Sequence, residues 1–79
     1  MARTIMNDRE RIGQEIATAR QARGLSQRDL ADLTGLNQAN IWKIETGKYS
    51  VGLDILSKIC KVLGKRVNLV DIPEDENER

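Results

Sequence analysis

Three residues, Thr34-Gly35-Leu36, are all that separate two short runs of helical periodicity, and this spacing constrains the 79-residue chain more than any other feature. Upstream, Ser26 is a natural N-cap, and Asp29 three positions on is a near miss to the Glu or Gln of a capping box. Leu30 and Leu33 then turn inward, predicting a helix from Gln27 to about Leu33. Downstream, Asn37 caps a second helix that reaches about Thr46 and stops at Gly47. Gly35 supplies the positive φ that so sharp a connection requires. The chain must set two short helices at a steep angle.

The flanks supply the support. Residues 1–7 show no periodicity and are expected to fray. From about Asp8 to Arg23, Ile12, Ile16, Ala19 and Ala22 follow helical spacing, with Gly24 as the stop. After the loop Lys48-Tyr49-Ser50-Val51-Gly52, a last helix is predicted from Leu53 to Leu63, closed by Gly64. Arg66-Val67-Asn68-Leu69-Val70 is β-rich and partly alternating, so it reads as one short strand that Pro73 stops. The domain proper is therefore residues 8–65, followed by a strand segment at 66–72 and an acidic, disordered tail at 73–79.

Charge follows this division. Residues 1–70 hold 12 Lys and Arg against 7 Asp and Glu, whereas residues 71–79 hold 1 against 5. A basic body suits a polyanionic partner. A single cysteine, Cys60, excludes a disulfide, and the absence of histidine leaves no metal-ligand set. No paired carboxylates, histidine or phosphate loop point to an enzyme, and no cofactor is expected. With no apolar run of membrane-spanning length and no signal-like stretch near Met1, a cytoplasmic location is expected, with the thiol reduced.

Two short helices joined through a central glycine form a helix-turn-helix unit, in which the first crosses a phosphate backbone and the second enters the major groove. On a helical wheel the second helix turns Ile41 and Ile44 to the core. Its opposite side centres on Ala39, Lys43 and Thr46, flanked by Gln38, Asn40 and Trp42, and carries no acid. An amide there can read adenine, a lysine guanine, and a methyl thymine. The same stripe also fits an ordinary solvated helix face, and the residues alone leave both readings open.

Ile12-Gly13 through Arg20, Gly24-Leu25-Ser26-Gln27, Leu30-Ala31, Gly35-Leu36-Asn37-Gln38 and Ile41-Trp42-Lys43-Ile44-Glu45-Thr46-Gly47 together resemble the Cro/repressor helix-turn-helix family, a likeness that runs on to Leu63-Gly64. The resemblance implies a mainly α fold, a four-to-five-helix lambda-repressor-like domain. It implies a sequence-specific repressor that binds double-stranded DNA as a homodimer on a palindromic operator. Residue by residue, it places Asn37, Gln38, Ala39 and Lys43 where the family reads bases. Gln27, Asn40 and the Thr46–Lys48 segment fall where the family contacts phosphates, with Gln27 also bracing the recognition helix. Arg20 and Glu45 fall at the family's internal ion pair. Trp42 departs from the usual small or polar residue, and either covers the domain edge or lies along the sugar-phosphate backbone. A domain of this kind followed at once by a strand is similar to the antitoxin partners of HipA-type kinase toxins, which dimerise through a two-stranded lid and repress their own operon. A protein-interaction adaptor, or a regulator of a partner enzyme, that uses the same fold without reading DNA is the alternative.

A core this small gains from a partner surface. Leu53, Leu56, Cys60 and Leu63 form one apolar stripe on the last helix, and Ile55, Ile59 and Val62 form another beside it. So wide a face predicts cover from outside the protomer. A dimer is expected to use Ile55, Ile59 and Val62 together with Val67, Leu69 and Val70, the strand pairing with its own copy. Cys60 reads as a small core hydrophobe, and Tyr49 as a loop-packing residue. With only two aromatics, base stacking on single strands is not expected.

Overall fold

The computed structural model describes residues 6–74; residues 1–5 and 75–79, on which most of the expected fraying and of the acidic tail fall, lie outside the described residues. Four helices form: α1 (Asp8–Ala22), α2 (Gln27–Thr34), α3 (Gln38–Glu45) and α4 (Leu53–Val62). Their starts are fixed locally. Asn7 opens α1 with a full capping box: the Glu10 amide donates to Asn7 Oδ1 (2.9 Å), and the Asn7 amide donates to Glu10 Oε1 (3.2 Å). Ser26 and Asp29 close the same reciprocal pair at 2.9 Å each way, so the near miss at α2 is a complete box. The aspartate, one methylene shorter than glutamate, still reaches. Both Ser26 hydrogen bonds, the backbone one first, hold the Asp29 carboxyl below the usual carboxylate range. Asn37 caps α3 by accepting from the Asn40 amide at 2.8 Å. Gly35 ends α2 at φ +76°, a conformation that any Cβ would strain.

The core is one cluster: Ile16 of α1, Leu30 and Ala31 of α2, Ile41 and Ile44 of α3, and Ile59 with Leu63 at the end of α4. α1 packs across α3, and α2 packs on both α3 and α4. Two residues expected on inward faces lie outside this core. Leu33 is 58% exposed, because the inward side of α2 is completed by Thr34 instead. Thr34 is buried, and its hydroxyl is satisfied by donating to the Leu30 carbonyl (2.8 Å). Ala22, at the end of α1, is also exposed.

α4 departs from the two-stripe reading. Ile59, expected at a dimer surface, is fully buried in the protomer's own core, whereas Leu53 is 66% exposed. Ile55 and Val62 are half-buried at the edge of the core, as are Leu56 and Cys60. Ile59 thus has no surface to offer a second chain. Residues 66–70 leave the helix and form no strand among the described residues, because a strand needs a partner and the single chain supplies none. Among the described residues no helix is long and apolar enough to cross a membrane.

Candidate nucleic-acid interface

α3 rests on the core through Ile41 and Ile44, and this seating turns Gln38, Ala39, Asn40, Trp42, Lys43 and Thr46 to solvent. The exposed face carries amides, an ammonium and methyl groups, and no carboxylate. Lys48, just beyond the helix, is exposed as well. Trp42 is 45% exposed and so is not enclosed by the domain.

The candidate residues differ in what they have free to offer. Asn37 uses its carbonyl oxygen on the α3 cap, so only its amide hydrogens are left for an outside acceptor. Thr46 donates its hydroxyl proton to the Trp42 carbonyl (2.8 Å), and a bond from that hydroxyl to a phosphate would require giving this one up. Gln38 and Lys43 carry no such local bond among the described residues. They are the least encumbered groups on the face.

Behind α3 lies a charged latch. Arg20 of α1 donates from Nε to Glu45 Oε2 (2.7 Å) and from Nη2 to Glu45 Oε1 (3.1 Å), a bidentate pair. The two side chains are only 10% and 4% exposed. Arg20 Nη1 also donates to the Leu25 carbonyl (2.8 Å), and Gln27 Nε2 donates to Glu45 Oε1 (3.0 Å). One carboxylate at the end of α3 thereby joins α1 to the first residue of α2. The Gln27 amide has two hydrogens, so bracing Glu45 leaves one for another acceptor. Among the described residues no buried side-chain nitrogen or oxygen lacks a partner.

The angle between α1 and α3 is also set sterically. Gly13 is buried where α1 crosses the end of α3. A Cβ on it would meet the Ile44 carbonyl oxygen and lie 2.7 Å from that of Glu45. The sequence does signal this: a glycine inside a helical pattern costs about 1 kcal/mol against alanine and calls for a packing reason. The Gln27–Glu45 bond has no such sign, being a contact between residues 18 apart.

With this geometry in view, the sequence matches the helix-turn-helix family over residues 16–70, most of the chain. The chain belongs to that family. It is 36% identical over 66 residues to a helix-turn-helix-type transcriptional regulator of Haemophilus influenzae, covering 84% of this chain and 67% of that protein. It is 42% identical over 52 residues to the transcriptional regulator PuuR of Escherichia coli, covering 66% of this chain but only 28% of PuuR. Among solved structures, the restriction-modification controller protein C.AhdI of Aeromonas hydrophila superposes with a TM-score of 0.72 at 34% identity, over 75% of this chain and 89% of that one. A toxin–antitoxin module of Streptococcus pneumoniae gives a TM-score of 0.66 at 37% identity, over 82% and 71%. In this helix-turn-helix chain, α2 and α3 are the motif and α3 its recognition helix.

Proposed function

We propose that this protein is a sequence-specific transcriptional repressor that binds a palindromic DNA operator as a homodimer. The observation that carries the reading is the exposed, acid-free face of α3, held at a set angle by the Arg20–Glu45–Gln27 latch. A helix of this composition placed in the major groove meets base edges with Gln38, Ala39 and Lys43, and with the free amide hydrogens of Asn37. Gln27, Asn40, Thr46 and Lys48 surround that face as phosphate contacts, which fix register without reading sequence. Two copies related by a two-fold axis then meet half-sites roughly 34 Å, one DNA turn, apart.

The test starts with selection of bound sequences from random duplexes, which should return an inverted repeat. On that site, Gln38→Ala or Lys43→Ala is expected to cost about 1–3 kcal/mol and to flatten discrimination at one base pair. Gln27→Ala and Lys48→Ala should weaken all sequences alike, and Lys48→Ala should make the salt dependence shallower by about one unit. Titrations over a panel of site variants separate the two classes. A Lys43→Ala protein weakened equally on every sequence would remove Lys43 from base reading. No enrichment of any duplex would favour the adaptor reading.

A narrower reading makes the chain the DNA-binding antitoxin of a toxin–antitoxin pair, with a HipA-type kinase as the toxin. The likeness to the Streptococcus pneumoniae module supports the pair; the kinase rests on the domain-then-strand resemblance. A neighbouring gene whose product co-purifies with this chain and arrests growth when expressed alone is the expected result.

A further inference from the structure

Trp42 is the largest side chain on the outer side of α3, and it differs in kind from the amides, ammonium and methyl groups around it. It is 45% exposed, although α3 has a core to rest on. Its backbone is held, since the Thr46 amide (3.0 Å) and hydroxyl (2.8 Å) both donate to the Trp42 carbonyl. Among the described residues no acceptor meets the indole Nε1–H. The domain thus leaves open an apolar ring and one donor.

Helical spacing places that ring. Gln38, Trp42 and Glu45 stand at i, i+4 and i+7, so they form one row along the helix. The row lies to one side of Ala39 and Thr46, the middle of the outer face. Its last member, Glu45, accepts from Gln27 Nε2 at 3.0 Å, and Gln27 is the first residue of α2. Trp42 therefore sits on the flank of α3 that faces the α2 N-terminus, just before the point where the two helices are tied. Groove dimensions decide what such a flank meets. A helix with its side chains is about 10–12 Å across and the major groove about 12 Å wide, so a helix lying in it touches both walls. The floor carries base edges, whereas the walls are deoxyribose and phosphate. An indole offers an apolar face and a donor but no acceptor, which suits a sugar face and a phosphate oxygen.

We propose that Trp42 packs its ring on the deoxyribose of the DNA strand beside the α2 N-terminus and donates Nε1–H to a phosphate of that strand. The inference rests on the DNA-binding reading above and adds a contact that strengthens binding without reading bases. The indole carries no charge, so unlike Lys48 it adds nothing to the salt dependence.

Trp42 is the chain's one tryptophan, so its fluorescence, excited selectively over Tyr49, reports this side chain alone. With the full chain, a saturating random-sequence duplex at low salt should shield the indole from acrylamide quenching about as strongly as the selected inverted repeat does. Trp42→Ala should lower affinity about 10- to 100-fold, similarly on every duplex of a site-variant panel, with the salt slope unchanged. Trp42→Phe keeps a ring and loses the donor, so its affinity should fall between those of wild type and Trp42→Ala. Binding seen by anisotropy of labelled duplex with acrylamide quenching unchanged would overturn the contact and leave DNA binding standing. Absence of binding to any duplex would overturn both. Loss of discrimination at a single base pair in Trp42→Ala would assign the ring to a base edge and overturn the backbone contact. If Trp42→Ala fails to fold, quenching of the wild-type chain decides.

Discussion

Replacing Arg20 by methionine, or Glu45 by leucine, is expected to destabilise the fold by about 3–5 kcal/mol, because each change leaves the other charge buried without compensation. The geometry supports the upper part of that range. Both side chains are nearly excluded from water, the contact is bidentate, and Arg20 Nη1 and Glu45 Oε1 each hold a further partner that depends on the pair staying put. A loss of this size consumes much of the roughly 4–12 kcal/mol that a chain of this length can hold in reserve. Chemical denaturation by urea at low temperature is the suitable measurement. The double variant Arg20→Met with Glu45→Leu should lose much less than the sum of the singles, since two apolar groups of similar volume replace two charges. DNA affinity should not recover in the double variant to the same degree, because Gln27 then has no carboxylate to brace. Strict additivity in the cycle would show that the two side chains do not hold α3.

Gly13→Ala is the second large effect expected, and its sign is the opposite of what local preference dictates. In an isolated helix the change would stabilise by about 1 kcal/mol. Here the added methyl meets backbone carbonyl oxygens of Ile44 and Glu45, which cannot rotate away as a side chain could. α1 and α3 must separate, at an overpacking cost of about 1–3 kcal/mol and occasionally more. The separation acts on the end of the recognition helix and strains the Arg20–Glu45 bonds beside it. Stability should therefore fall, and DNA binding should weaken on every sequence, since the whole face is displaced. Parallel denaturation and titration measurements check both. A Gly13→Ala protein as stable as wild type would mean that the two helices part without cost, and that Gly13 does not set their angle.

Much of the architecture was legible in the residues because it is decided within a few positions of chain. Ser26, Asn37, Gly24, Gly35, Gly47 and Gly64 start and stop helices through their own side chains or their own φ, so the four helices could be placed within a residue or two at each end. The outer face of α3 was legible for the same reason: Ile41 and Ile44 are three apart and fix which side is inward. The Arg20–Glu45 pair is 25 residues apart, and it was reached only through resemblance to a family, not through spacing.

Which apolar residue of several is buried was a different question. α4 carries seven apolar positions among Leu53–Leu63, and periodicity allowed Ile59 to face outward; only the packing of α2 against α4 within the assembled core put Ile59 at zero exposure and left Leu53 in solvent. Leu33 and Thr34 exchanged roles likewise, because a buried hydroxyl costs little once the Leu30 carbonyl one turn back accepts its proton. The Gln27–Glu45 bond and the contact at Gly13 both join elements distant in sequence. Local chemistry thus determined where the helices of this protein begin, end and turn. Burial and contact belong to pairs of elements, and only their packing in three dimensions decided which side chains hold the recognition helix and which are left exposed.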